Sequence, residues 1–330
     1  MNNIRMKNII TVAKKEYTDA FRNYVFLVFL NFLVVLTGIS MYVGAQNFGN
    51  KVSLFEKTYQ QLIASGQIVT ALSRPEFFPL QLLRATIEYL EIIGAILAIS
   101  LGYLSITKEK GNNTLPLIFT RPITRRTYYI GKLVGNALLL ASVCAVLFLG
   151  IVGVLVLIGG VKLALVEIAK IVISGIATFV YLCIFFLFSA LLTIFMRFPS
   201  NALIVSFVVW LFFVLIVPQI GDTMDTDNQV PGGFFNAIHV DKPQSKIILE
   251  QFSIYETLRN GTEETSITKH YERLTFALLG IKDIYNGKSI GSILKDKIGE
   301  SLWLLGFLIS LGMGSLFAFT KSEHLWQKIE

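Results

Sequence analysis

Six long apolar segments constrain what this chain can fold into more than any other feature of its sequence. Each is close to the ~20 residues that an α-helix needs to cross the hydrocarbon core of a bilayer. Helices suit this role because they satisfy every backbone N–H and C=O group internally, where no water is available. We therefore predict transmembrane helices at residues 24–44, 85–106, 133–160, 168–196, 201–220 and 301–320.

Composition agrees with a membrane protein and argues against a soluble domain. Hydrophobic residues make up 54% and charged residues 15% of the 330 residues, and the mean hydropathy is +0.63. A soluble domain carries about 25% charged residues. We expect one all-α transmembrane domain over residues 1–330. Its first span starts too late and is too long for a signal peptide, so it should remain as an anchor.

No metal or disulfide chemistry is indicated by the sequence. Cys144 and Cys183 both lie within apolar segments, where packing is the simplest role for a thiol. All of the histidines lie in polar segments, which leaves no metal-ligand cluster at membrane depth. The net charge of +7 is explained by basic loops on the cytoplasmic side of a membrane protein. Nucleic acid is therefore not an expected partner.

Lysine and arginine residues concentrate in segments that six spans would place on one side of the membrane. These segments are the arm 1–23, the connection 107–132, the turn at Arg197 and the tail 321–330. Basic loops mark the cytoplasmic side. Both termini are therefore predicted to be cytoplasmic.

Two segments are then predicted to lie outside, the loop 45–84 and the insert 221–300. Apolar residues at helical spacing predict amphipathic helices over 51–64, 248–258 and 266–279. These helices would lie on the outer membrane surface or form a small cap. The insert is also a candidate contact for an extracellular or periplasmic partner protein.

The N-terminal arm has the pattern of an amphipathic helix lying flat on the cytoplasmic leaflet. Its apolar residues fall within a sector of about 120°, opposite a basic face. That sector contains Met6, Ile9, Ile10, Ala13, Tyr17, Ala20 and Phe21. Glu16 lies at the rim of the sector. Its carboxylate either pairs with a basic side chain of the 107–133 segment or remains solvated.

The connection between the second and third spans combines a short apolar block with many basic residues. Pro116 fits the first turn of a short helix, and Pro122 disfavours helical geometry at Arg121. Thr124 can cap a new helix that runs into the third span. The apolar side of the short helix must be buried, either in the lipid interface or in a groove on a soluble partner.

The same connection resembles the signature of ABC-2 type transporter permeases. That signature is E-x-x-x-G-T-L, an apolar block, R-P-x-x-R and a G-K pair that enters the third span. The matching positions are Glu109, Thr114, Leu115, Arg121, Pro122, Arg125, Gly131 and Lys132. The pattern is similar to the permease of the nitrous oxide reductase copper-site maturation system and to sodium-efflux ABC permeases. It departs from the signature at Asn113, where glycine is usual, and at Pro116.

The resemblance implies that the connection carries a coupling helix, which docks in a cleft of a separate ATPase subunit. The residues assigned to this contact are Glu109, Thr114, Leu115, Leu117, Phe119, Arg121, Pro122, Arg125 and Arg126. It also implies two ATPase copies, a second permease copy that is identical or paralogous, contact with membrane lipid, and the plasma membrane of a prokaryote. ATP and Mg²⁺ would be bound by the ATPase, and neither a cofactor nor a metal is expected in this chain.

Nucleotide chemistry within the chain is not predicted. Gly287, Lys288 and Ser289 match the end of a phosphate-binding loop, but Lys282 occupies the position of the required first glycine. We therefore expect a permease subunit without catalytic residues.

Three charged residues lie near the start of the second span. Arg84, Glu88 and Glu91 are spaced to share one helical face. Ionisable residues at membrane depth are candidates for substrate or ion contact, although a structural pair is the alternative.

Three functions remain open from the sequence. The favoured one is a permease subunit that couples ATP hydrolysis by a partner to export of a substrate or to mechanical work. A non-transporting scaffold or mechanotransmission subunit of an ABC complex shares the same features. A membrane-embedded enzyme is the third, with only Glu88 and Glu91 as candidate acid–base groups.

Overall fold

The computed structural model of the protein describes residues 2–65, 78–111, 118–120, 122–224, 257–258, 261, 263–281 and 285–321. Within these residues the chain is helical and contains no β-strand. Its α-helices begin with α1 Asn2–Ala20, α2 Tyr24–Ala64, α3 Arg84–Tyr89, α4 Ala95–Gly111 and α5 Arg125–Leu157. They continue with α6 Leu165–Phe195, α7 Pro199–Leu211, α8 Val217–Met224, α9 Ile267–Leu278, α10 Ile290–Asp296 and α11 Ile298–Lys321.

All six predicted spans are helices in the structure. Those long and apolar enough to cross a bilayer are Tyr24–Ala64, Pro79–Glu109, Arg125–Leu157, Leu165–Phe195, Pro199–Ile220 and Ile298–Lys321. The third span ends at Leu157, earlier than the predicted residue 160. Gly160 has a φ of +62°, which belongs to a turn and not to a right-handed helix.

Two spans contain a change of helical type. In the second span a 3₁₀ turn at Pro79–Leu83 precedes α3, and a π-helical turn at Leu90–Gly94 separates α3 from α4. In the fifth span a π-helical turn at Phe212–Ile216 separates α7 from α8. Single π-helical turns inside α-helices are frequent at functional positions. The sequence pattern did not predict either one.

Side-chain caps explain where two of the spans begin. Asn23 Oδ1 accepts hydrogen bonds from the backbone N–H groups of Val25 at 2.9 Å and Phe26 at 3.3 Å. This cap separates α1 from α2. Thr124 Oγ1 accepts a hydrogen bond from the Thr127 backbone N–H at 3.2 Å, so Thr124 starts α5 as predicted.

The first span is much longer than predicted. α2 contains 41 residues, which makes it about 60 Å long, or about twice the thickness of the hydrocarbon core. Residues 51–64 form the end of α2 and not a separate amphipathic helix. The helix break expected before residue 51 is absent. A single glycine, Gly49, lowers helix propensity by only about 1 kcal/mol and does not end the helix.

The second and fourth spans form the centre of the bundle. In their most apolar windows 72% and 61% of residues are buried, compared with 22% in the first, fifth and sixth spans. The two central spans approach closely at Gly102, where a Cβ would lie 2.3 Å from the Phe186 carbonyl oxygen. Small residues at helix crossings permit such close backbone contact. The less buried spans present apolar faces outward.

The helix predicted over 266–279 is confirmed as α9. Ser266 Oγ donates a hydrogen bond to the Phe213 carbonyl at 2.8 Å, which fixes the start of α9 on the fifth span. Tyr271 stacks on Tyr181 of the fourth span with ring centroids 4.4 Å apart. Burial raises the pKa of the Tyr271 hydroxyl above the ordinary tyrosine value, so it stays protonated beyond the pH at which an exposed tyrosine ionises. The helix predicted over 248–258 lies almost entirely outside the described residues.

Candidate functional site

α1 packs lengthwise against the start of α5 through two glycines. A Cβ at Gly131 would lie 2.7 Å from Val12 Cβ, and one at Gly135 would lie 2.6 Å from the Ala13 carbonyl oxygen. These contacts advance in the same direction along both helices, so α1 and α5 run roughly parallel. Any larger side chain at either glycine would push the two helices apart.

This packing divides the apolar sector that was predicted to face lipid. Ala13 and Ala20 are buried, whereas Met6, Ile10 and Phe21 remain exposed. The helix is amphipathic as predicted. Part of its apolar surface, however, forms an interhelical contact and does not contact lipid.

Lys132 connects α1 to the end of the second span. Its Nζ donates hydrogen bonds to Glu16 Oε1 at 2.8 Å and to Glu109 Oε1 at 2.9 Å. The exposed fractions are 2% for Lys132, 8% for Glu16 and 4% for Glu109. We refer to these residues, which come from α5, α1 and α4 respectively, as the buried ion cluster.

Two neighbouring residues complete the charge balance and hydrogen bonding of the buried ion cluster. Lys15 Nζ lies 3.5 Å from Glu109 Oε1, and the Tyr128 hydroxyl donates a hydrogen bond to the same oxygen. Two ammonium groups therefore balance two carboxylates. Since an unpaired buried charge is very unfavourable, the arrangement holds three helices in one relative position.

Aromatic side chains pack beside the buried ion cluster and extend to the sixth span. Tyr128 packs edge-on against Phe119 with ring centroids 5.7 Å apart. Tyr129 stacks on Phe319 of α11 with centroids 4.5 Å apart. The same end of the bundle therefore joins α1, α4, α5 and α11 to the connection between the second and third spans.

The predicted docking residues differ in where the structure places them. Pro122, Arg125 and Arg126 are exposed. Phe119 is half-buried against Tyr128. Glu109, predicted to contact the ATPase, is buried inside the chain because its carboxylate neutralises Lys132. The residues outside the described part of the chain are Thr114, Leu115, Leu117 and Arg121.

Sequence reasoning found part of the buried ion cluster. A basic partner for Glu16 from the 107–133 segment was one of two alternatives, and the structure provides Lys132. The second bond of Lys132, to Glu109, and the role of Tyr128 were not predicted. The available signal was Lys132 itself, because a cation that enters an apolar span requires a counter-ion.

The three charged residues of the second span do not form one site. Arg84 Nε donates a hydrogen bond to Glu88 Oε1 at 2.9 Å, and both side chains are exposed. Glu91 is buried within the π-helical turn. Its backbone carbonyl accepts a hydrogen bond from the Tyr181 hydroxyl at 2.9 Å.

In the part of the chain that the structure describes, no group of three or more His, Cys, Asp or Glu side chains is placed to hold a metal ion. The Gly-Lys-Ser sequence is explained by turn geometry. Gly287 has a φ of +73°, and Ser289 Oγ accepts a hydrogen bond from the Ser292 backbone N–H at 3.3 Å at the start of α10.

The six apolar helices, with α1 packed against the start of the third, define a polytopic all-α membrane protein. A family model described as ABC-2 family transporter protein matches residues 10–323. The chain therefore belongs to the ABC-2 transporter family, which confirms the resemblance found in the sequence. The likeness to the copper-site and sodium-efflux permeases stays a prediction. A search of the curated proteins finds no match.

Proposed function

We propose that this protein is the permease subunit of an ABC transporter and that a separate ATPase subunit docks on the connection between its second and third spans. Membership of the ABC-2 family supports the permease role. The observation that carries the coupling role is the buried ion cluster, which fixes both ends of the connection to each other and to α1.

Because of the buried ion cluster, a displacement of the connection would move the second and third spans together. Glu109, at the end of the second span, and Lys132, at the start of the third, are joined at 2.9 Å. A force that the ATPase applies to the segment between Glu109 and Lys132 would therefore act on both spans. α5 runs without a break from Arg125 to Leu157, about 50 Å, and would carry the displacement across the bilayer.

The proposed complex contains two ATPase copies and two permease chains, which are identical or paralogous. ATP and Mg²⁺ are bound by the ATPase, so this chain is not an enzyme. The positive-inside rule supports a cytoplasmic location for both termini and the docking connection in a prokaryotic plasma membrane. The energy of ATP hydrolysis would drive export of a substrate or mechanical work across that membrane.

The test is recovery of a neighbouring-gene ATPase with the purified permease. The variants are Leu115→Asp, in the apolar block, and Arg126→Glu, which changes an exposed side chain. If the connection is the docking site, each variant should lower ATPase recovery about tenfold, as expected for a central interface residue. Permease insertion should be unchanged.

The controls follow from the structure. Phe119→Asp is unsuitable because Phe119 packs on Tyr128, and its replacement would disturb the permease itself. Lys57→Glu changes an exposed residue at the far end of α2 and should leave ATPase recovery unchanged. Full recovery with both Leu115→Asp and Arg126→Glu would refute the docking role.

A further inference from the structure

A cleft lies at the turn between the fourth and fifth spans, at the same end of the bundle as the buried ion cluster. It has a volume of about 450 Å³ and is lined by Met196, Arg197, Phe198, Asn201, Ile204 and Val205. Arg197 is exposed. Its guanidinium carbon lies 5.9 Å from the centroid of the Phe198 ring.

The surrounding sequence indicates how deep the cleft lies in the membrane. Arg197 is the only charged residue between Lys170 and Asp222. The apolar helices α6 and α7 end and begin at this turn, so the turn lies at the level of the lipid headgroups. Ile204 and Val205 lie further along α7, at the level of the acyl chains.

The charge of the cleft identifies the kind of group that fits it. Its lining residues include one cation and no acidic side chain. Within the described residues, Arg197 has no carboxylate at ion-pair distance. An arginine guanidinium matches the geometry of phosphate, and the Asn201 amide offers a second donor.

We propose that this cleft binds an anionic phospholipid. Its phosphate would contact Arg197 and Asn201, and one acyl chain would lie along Phe198, Ile204 and Val205. A zwitterionic lipid fits less well because the cleft has no acidic side chain to receive its positive headgroup. This lipid site is independent of the ATPase contact proposed above.

Native mass spectrometry of the full chain in detergent, with added phosphatidylglycerol or phosphatidylcholine, tests the proposal. Wild-type protein should retain phosphatidylglycerol under conditions that remove phosphatidylcholine. Arg197→Gln changes an exposed side chain and should lower phosphatidylglycerol occupancy roughly fivefold. Val205→Trp, which fills the cleft, should lower the occupancy of both lipids.

Lys321→Gln is the matched control. Lys321 lies at the same end of the bundle with its Nζ 4.7 Å from the Phe317 ring centroid, but it does not line the cleft. Lipid occupancy should not change in this variant. Equal retention of both lipids by wild-type protein, full retention by Arg197→Gln, or an equal loss in Lys321→Gln would overturn the proposal. So would an Arg197→Gln variant that keeps its lipid but loses the ATPase, because the cleft would then be a protein contact.

Discussion

At Lys132, one ammonium group bonds to carboxylates that belong to two other helices, and Lys15 supplies the second positive charge. The buried ion cluster need not increase the free energy of unfolding, because removing three charged groups from water is unfavourable. We expect the cluster to contribute specificity, since another relative position of α1, α4 and α5 would separate Lys132 from Glu16 or Glu109. Removing one charged residue should therefore lower the stability of the protein much more than replacing all three charged residues by neutral ones.

Replacing Lys132 alone tests this view. Lys132→Met should destabilise the permease by about 3–5 kcal/mol, because Glu16 loses its cation and Glu109 keeps only the more distant Lys15. Thermal unfolding of the purified protein in detergent would show this as a lower midpoint.

The matched control and a compensating variant make the result specific. Arg126→Met, which also replaces a cation on α5 but at an exposed position, should change the unfolding midpoint little. Combining Lys132→Met with Glu16→Gln and Glu109→Gln should recover most of the lost stability. A Lys132→Met variant as stable as wild type would show that the ion pairs do not fix α1 and α4.

Tyr271 provides a second prediction at a single residue. Its hydroxyl lies 2.9 Å from the Thr178 hydroxyl of the fourth span, and its ring stacks on Tyr181. Tyr271→Phe keeps the stacked ring but removes the hydrogen bond, so it should cost about 0.5–1.5 kcal/mol. A double-mutant cycle with Thr178→Val measures the coupling. Strictly additive effects would show that the two hydroxyls do not interact.

At the scale of elements, the contact between α1 and α5 depends on glycine. Gly131→Ala would place a Cβ 2.7 Å from Val12 Cβ and should cost about 1–3 kcal/mol through overpacking. The same substitution at Gly153 of α5 meets no atom within 4 Å and should be neutral or stabilise the helix by up to about 1 kcal/mol. Thermal unfolding compares the two. Equal effects would contradict close packing at Gly131.

The spans were predictable from sequence because about 20 consecutive apolar residues have few alternatives to a transmembrane helix. Capping at Thr124 and the start of α9 at Ser266 were predictable because their chemistry is local. The continuation of α2 and the two π-helical turns were not, since no single residue signals them. The bond from Lys132 to Glu109 was also missed, because it depends on how separate helices pack.

At the scale of the whole molecule, orientation in the membrane decides whether an ATPase can reach the connection. Cys144 and Cys183 are both free and buried, so the natural chain provides a low background for labelling. In intact cells, Lys57→Cys should react with a membrane-impermeant maleimide and Arg126→Cys should not. Opening the cells should reverse the result for Arg126→Cys. The opposite pattern would place the connection outside and refute ATPase docking.

In the proposed coupling, α1 would move together with α5, because the buried ion cluster joins the two helices. Since α1 is joined to α5 and α2 follows after a short turn at Asn23, a tilt produced by ATPase docking would be passed to the first span. α2 is one continuous helix about 60 Å long. A small tilt at its N-terminal end would therefore displace its C-terminal end by a larger distance. If the orientation and the coupling proposed above hold, a fluorophore attached near Tyr59 would report ATP-driven movement from the outer side of the membrane.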